Sequence, residues 1–121
     1  MTWTLHLPDI VIDARTPNTH DHWRNRHQSA KAVREAVALL AHAQRQLPVV
    51  PPVTIMFTRW VTTRHQRDAD NTALSWKPAL DGLVDARIIP SDDWSVVSEV
   101  AYRIRLRDTA GWTVEIDGVE S

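Results

Sequence analysis

The chain has 121 residues, a net charge of −1, no cysteine, and 43% hydrophobic against 24% charged residues. These values fit one globular domain with one core, and they exclude a disulfide scaffold, thiol chemistry, a disordered chain and a fibrous one. No apolar run approaches the roughly 20 residues of a membrane span, and the N-terminal MTWTLHLPD lacks the basic-then-apolar pattern of a secretory signal, so no membrane association and a cytoplasmic location are expected.

In chain order, residues 3–13 (WTLHLPDIVID) alternate apolar and polar around Pro8, which predicts an interrupted or edge strand. ARTPNTHDHW, 14–23, reads as a loop. Ser29 is placed to cap a helix running through residue 46, with Ala30, Val33, Ala36, Val37, Leu40 and Ala41 at helical spacing. The prolines of LPVVPP, 47–52, end it. VTIMFTRWVTT, 53–63, is β-branched and aromatic and predicts a strand. A second helix is expected over about 70–86, with Leu74, Leu80, Leu83 and Val84 facing the core. Pro78 either kinks it or marks a helix start just before it. Residues 96–107 (VVSEVAYRIRLR) alternate with a change of parity, so a bulge is expected near Val100–Ala101. WTVEI, 112–116, then closes a terminal hairpin. Trp60 and Trp112 are expected in the core. Trp76 or Trp94 is assigned to packing or a dimer contact, with a wedge between unstacked bases as the alternative. The order β(β)-α-β-α-β-β predicts a single α+β domain over 1–121: a small mixed or antiparallel sheet with two helices packed on one face.

Charge is distributed unevenly. Residues 14–67 carry +7 and residues 68–121 carry −6, a pattern compatible with a polyanion-binding surface beside an acidic site. The acidic half begins with Asp68 and Asp70, separated by one residue. In extended backbone, residues i and i+2 point the same way, so both carboxylates can face one small volume. Like charges there oppose each other's ionisation unless a cation neutralises them. Asx residues also stop strands and cap helices, which is the alternative account of the pair. His20, His22 and His27 have neither zinc-site spacing nor cysteine partners, and are read as loop and helix-start residues.

The ordered set downstream is more specific than the pair. It runs Asp68-Ala69-Asp70-Asn71, Lys77, Leu80-Asp81-Gly82-Leu83, then Asp92-Asp93-Trp94-Ser95-Val96 entering a strand. This set resembles the RusA-type family of Holliday-junction resolvases, and the likeness extends over about residues 3–116, including Pro17-Asn18 and Val33-Arg34-Glu35-Ala36-Val37. One departure stands out. The lysine of the commoner family pattern falls three residues after the asparagine, at Leu74 here, whereas Lys77 lies three residues further on. Since one helical turn takes about 3.6 residues, an insertion of three keeps the downstream face close to its orientation.

The resemblance implies a Mg²⁺-dependent endodeoxyribonuclease, with Mn²⁺ substituting, that cuts four-way DNA junctions in recombination and repair as a homodimer, nucleoid-associated or phage-encoded. Hard divalent ions prefer carboxylate oxygens, which fits Asp68, Asp70 and Asp93 as ligands, with Asp92 as the alternative to Asp93. Asp68, Asp70, Lys77 and Asp93 are the implied catalytic set, Lys77 offsetting charge on the phosphate. Asn71 either orients a carboxylate or caps the helix. Asp81 either supports the site or pairs with Lys77 at i,i+4. Arg59, Arg64 and Arg67, with His65, and Arg24, Arg26 and Lys31, with Arg15, are the candidate phosphate contacts, which position DNA without reading its sequence. A non-cleaving branched-DNA binding protein of the same fold is the alternative, favoured by the displaced lysine.

Overall fold

The computed structural model describes residues 2–8, 23–44, 49–63 and 76–118, with the side chains of 23–29 outside the described set. Its elements are β1 (Thr2–Pro8), α1 (Trp23–Ala43), β2 (Val53–Val61), α2 (Trp76–Asp85), β3 (Val97–Leu106) and β4 (Gly111–Gly118). The four strands form one sheet in the order β1-β4-β2-β3. β4 runs antiparallel to both β1 and β2, while β2 and β3 are parallel. The fold is therefore α+β with a mixed sheet.

Strand parity divides the sheet into two unlike faces. On one face Trp3, Leu5 and Leu7 of β1, Val53, Ile55 and Phe57 of β2, and Trp112, Val114 and Ile116 of β4 are buried. Val33, Val37 and Ala41 of α1 and Ala79, Leu80 and Leu83 of α2 join them in one core, so both helices cover this face. The helices meet closely at Gly82, where a Cβ atom would lie 2.7 Å from the Arg34 carbonyl oxygen and 2.9 Å from Val37 Cβ. Only glycine allows that approach without displacing backbone. Arg34 and Asp85 then clamp the two helices with a bidentate pair, Nε–Oδ2 at 2.6 Å and Nη2–Oδ1 at 2.9 Å.

At the β1 edge, the Gln44 side chain closes the outer backbone groups of His6. It accepts from the His6 N–H at 3.0 Å and donates to the His6 carbonyl at 2.8 Å. The Trp3 indole N–H donates to the Gln44 carbonyl at 3.2 Å. An edge strand is thereby denied part of its free hydrogen-bonding surface.

Four local expectations are corrected. The first helix starts at Trp23, so Ser29 lies inside it and is not its cap. The apolar stripe begins only at Ala30, and the helix already runs through the residues before it. β3 and β4 do not form a hairpin, because β2 lies between them. β4 buries residues on both faces, as a central strand must, whereas β3 alternates toward solvent. The link between them crosses the end of β2, fastened by the Arg107 N–H on the Val61 carbonyl at 2.9 Å. That hop spans two strand spacings, about 10 Å, within reach of four residues.

The third correction concerns the irregularity in β3, which falls at Ser98: the register passes from Val53↔Val97 to Thr54↔Glu99. The Ser98 hydroxyl donates to the Val53 carbonyl at 3.2 Å. The bulge thus sits two residues before the expected Val100–Ala101. Finally, Trp112 is in the core, but Trp60 lies on the opposite face, its indole N–H donating to Thr113 Oγ1 at 2.9 Å. Strand residues 9–13, loop residues 14–22 and helix residues 70–75 of the sequence reading lie outside the described residues.

Candidate active site

α2 builds the described part of the site. Pro78 stands in its first turn, where a missing N–H costs no helical hydrogen bond. The helix closes with a Schellman motif: Ile88 N–H reaches the Leu83 carbonyl at 3.0 Å and Arg87 N–H the Val84 carbonyl at 2.9 Å. Arg87 takes the left-handed conformation this ending requires, with φ of 60°. The chain then reverses, with Ile89 buried as an anchor. From there residues 90–92 run back along the helix and deliver Asp92 to its first turn.

The result is a cation between two carboxylates. Lys77 Nζ donates to Asp81 Oδ1 at 3.1 Å, one helical turn away, and to Asp92 Oδ2 in a short contact. The hydrogen bond that Lys77 donates to Asp92, followed by the one it donates to Asp81, raises its pKa above the ordinary value. Lys77 in turn holds the Asp92 carboxyl below the usual carboxylate range. Asp93 is engaged differently. Its Oδ2 accepts from the Ser95 N–H at 3.1 Å and from the Ser95 hydroxyl, closing the turn that enters β3. Those bonds lower its pKa too. Both acids are therefore ionised at neutral pH, and each keeps an oxygen, Asp92 Oδ1 and Asp93 Oδ1, outside these bonds.

The remaining sequence-derived residues divide clearly. Arg59 lies on the helix-covered face of β2, its guanidinium carbon 5.6 Å from the centroid of the Trp112 ring. Its Nε and the Trp112 Nε1 are buried without a hydrogen-bond partner among the described residues. Lys31 is exposed on α1 and faces Glu35 at 3.8 Å. Trp94 is 82% exposed beside the two acids, while Trp76 packs against the core. Asp68, Asp70, Arg64, Arg67, His65 and Asn71 lie outside the described residues, as do Arg15, His20 and His22 and the side chains of Arg24, Arg26 and His27. Among the described residues, no three histidines or carboxylates gather to hold a metal. The donor chemistry of Asp92 and Asp93, exposed ionised oxygens, suits a hard divalent ion. A full ligand set would need the acids of 64–75, the segment that joins the end of β2 to the start of α2.

Sequence reasoning missed the clamp between Arg34 and Asp85, and it missed the arginines 103, 105 and 107 as one group. The i,i+2 spacing of Arg103 and Arg105 in a strand was the available signal for the second. Between the two helices, lined by Lys31, Arg34, Lys77, Asp81 and Asp85, lies an open groove of about 580 Å³. None of the described helices is long and apolar enough to cross a membrane. Compared with protein-family models and with curated proteins, the chain matches none of them.

Proposed function

We propose that this chain is a Mg²⁺-dependent endodeoxyribonuclease of the RusA type, cutting four-way DNA junctions as a homodimer in recombination and repair. The observation that carries the reading is the meeting of Lys77 with Asp92. These residues stand 15 positions apart on different elements, and they are two members of the ordered motif set. A helical lysine beside an ionised acidic turn is the arrangement that phosphoryl chemistry needs at this point of the motif.

In this reading Asp68, Asp70 and the 92–93 turn hold the ion, with Asp93 or Asp92 as the ligand from the turn. When bound, Mg²⁺ polarises the scissile phosphate and acidifies a water. Asp92 and Asp81 hold the Lys77 ammonium at the first turn of α2, from which it offsets charge building on the phosphate. Arg59, Arg64, Arg67, Arg24, Arg26 and Lys31 supply phosphate contacts that set the junction's position. A four-way junction presents two equivalent strands, so a two-fold dimer places one centre at each.

Incubation with an end-labelled four-way junction, with Mg²⁺ or with EDTA, tests the proposal. Paired, metal-dependent nicks are expected, and Asp70→Asn should lower cutting roughly a hundredfold or more while junction binding persists. Normal cutting by that variant would remove Asp70 from the ligand set. One observation favours a second reading, a non-cleaving branched-DNA binding protein: the Lys77 ammonium is already shared between two carboxylates. Retarded but intact junctions in Mg²⁺ and Mn²⁺ would select it.

A further inference from the structure

We infer that the face of the sheet which no described element covers is the surface through which two copies of this chain pair, about a two-fold axis running across the strands. This assigns a contact surface to the homodimer of the proposed function and rests on that reading only for the dimer's purpose.

No described element covers this face, and its charges are sorted by row. The first row across β4, β2 and β3 is Asp117, Thr54 and Glu99, and the second is Glu115, Met56 and Ala101. The third is Thr113, Thr58 and Arg103, and the fourth is Gly111, Trp60 and Arg105. Arg107 adds to the fourth row, its guanidinium carbon 4.8 Å from the centroid of the Trp60 ring. The first two rows are therefore acidic and the last two basic, with Met56, Ala101, Thr58 and Thr113 among them. The boundary is itself stitched by charge: Arg103 Nε donates to Thr58 Oγ1 at 2.9 Å, and its Nη2 lies 3.7 Å from Glu115 Oε1.

Such a face is complementary to itself in one orientation. A two-fold axis that lies between the second and third rows, perpendicular to the strands, inverts their order in the second copy. β3 then lies over β3 of the partner, and Glu99 faces the partner's Arg105, twice by symmetry. The middle of the contact is Met56, Ala101, Thr58 and Thr113, and the two threonine side chains are already buried. The two charged side chains of these rows, Arg103 and Glu115, lie toward each other across the sheet surface, Nη2 to Oε1 at 3.7 Å, and sheets stack at about 10 Å. An axis parallel to the strands would instead set acid against acid and arginine against arginine. A polyanion is disfavoured as occupant because half of the face is acidic.

Sedimentation velocity on the full chain, without DNA or metal, tests this. The wild type should dimerise at low salt and dissociate as NaCl rises, because the pairing is electrostatic. Glu99→Arg and Arg105→Glu should each weaken the dimer about tenfold or more, and the double exchange should restore it. Both residues are exposed, and circular dichroism of each variant checks the fold. A wild type monomeric throughout the concentration series would overturn the inference. So would a double exchange that stays monomeric. A dimer indifferent to both reversals and to Met56→Arg would instead indicate pairing along the β3 edge. Any of those failures leaves junction cleavage, read separately, as the measure of the nuclease proposal.

Discussion

The two faces of the sheet are made from the same four strands and could hardly differ more. Residues of one parity, such as Ile55, Phe57, Val114 and Ile116, are sealed beneath two helices. Their immediate neighbours, Met56, Thr58, Glu115 and Asp117, face outward with no described element above them. Stability is concentrated on the first face, where burial of apolar area does the work. The second face carries charge in rows, and exposed charge contributes little to folding. The lesson is that one residue of register separates the part of this protein sealed beneath the helices from the part that carries its charge rows.

Substitutions can break that contrast. The largest effect should come from Phe57→Ala, which empties the centre of the covered face and should cost about 3–5 kcal/mol in denaturant unfolding. Gly82→Ala should cost roughly 1–3 kcal/mol by forcing α1 and α2 apart at the Arg34 carbonyl; a neutral result would mean the helix crossing relaxes freely. Arg87→Gly should stabilise by about 1 kcal/mol, since only the non-glycine side chain opposes the left-handed ending of α2.

A smaller, pH-dependent effect comes from the interhelical clamp. Arg34 holds the Asp85 carboxyl below its ordinary value of 3.8. The pair is therefore intact above that value, and its contribution is lost as pH falls through the lowered one. Asp85→Asn should flatten that part of the acid limb of thermal stability. Least of all, Glu99→Arg on the open face should leave monomer stability within about 0.5 kcal/mol. A large loss there would show that the outward face shares in folding.

The elements themselves were legible where periodicity is strong. Val33, Val37 and Ala41 marked the buried stripe of α1, and the β-branched run of 53–61 marked β2. The start of α1 was not, because residues 23–29 carry no apolar stripe and Ser29 is as able to sit within a helix as to cap one. The β3–β4 hairpin was misjudged for a different reason. A short link between two alternating segments has the same local signature whether the strands are neighbours or straddle a third. Lys77 and the 92–93 turn were singled out by the motif order, and their meeting depends on a reversal at Arg87 that no motif encodes. Why Asp92 and not Asp93 reaches Lys77 follows from Ser95, which occupies the Asp93 carboxylate.

Taken alone, the order of residues determined which segments alternate with period two and which with 3.6, and therefore the α+β class. Only the tertiary structure decided that β4 inserts between β1 and β2, that Asp92 returns to the first turn of α2, and that acids and arginines from β3 and β4 line up in opposing rows. The physical reason is range: periodicity is a property of adjacent residues, whereas strand order and charge rows arise from partners tens of residues apart, chosen by what buries the most apolar surface at once.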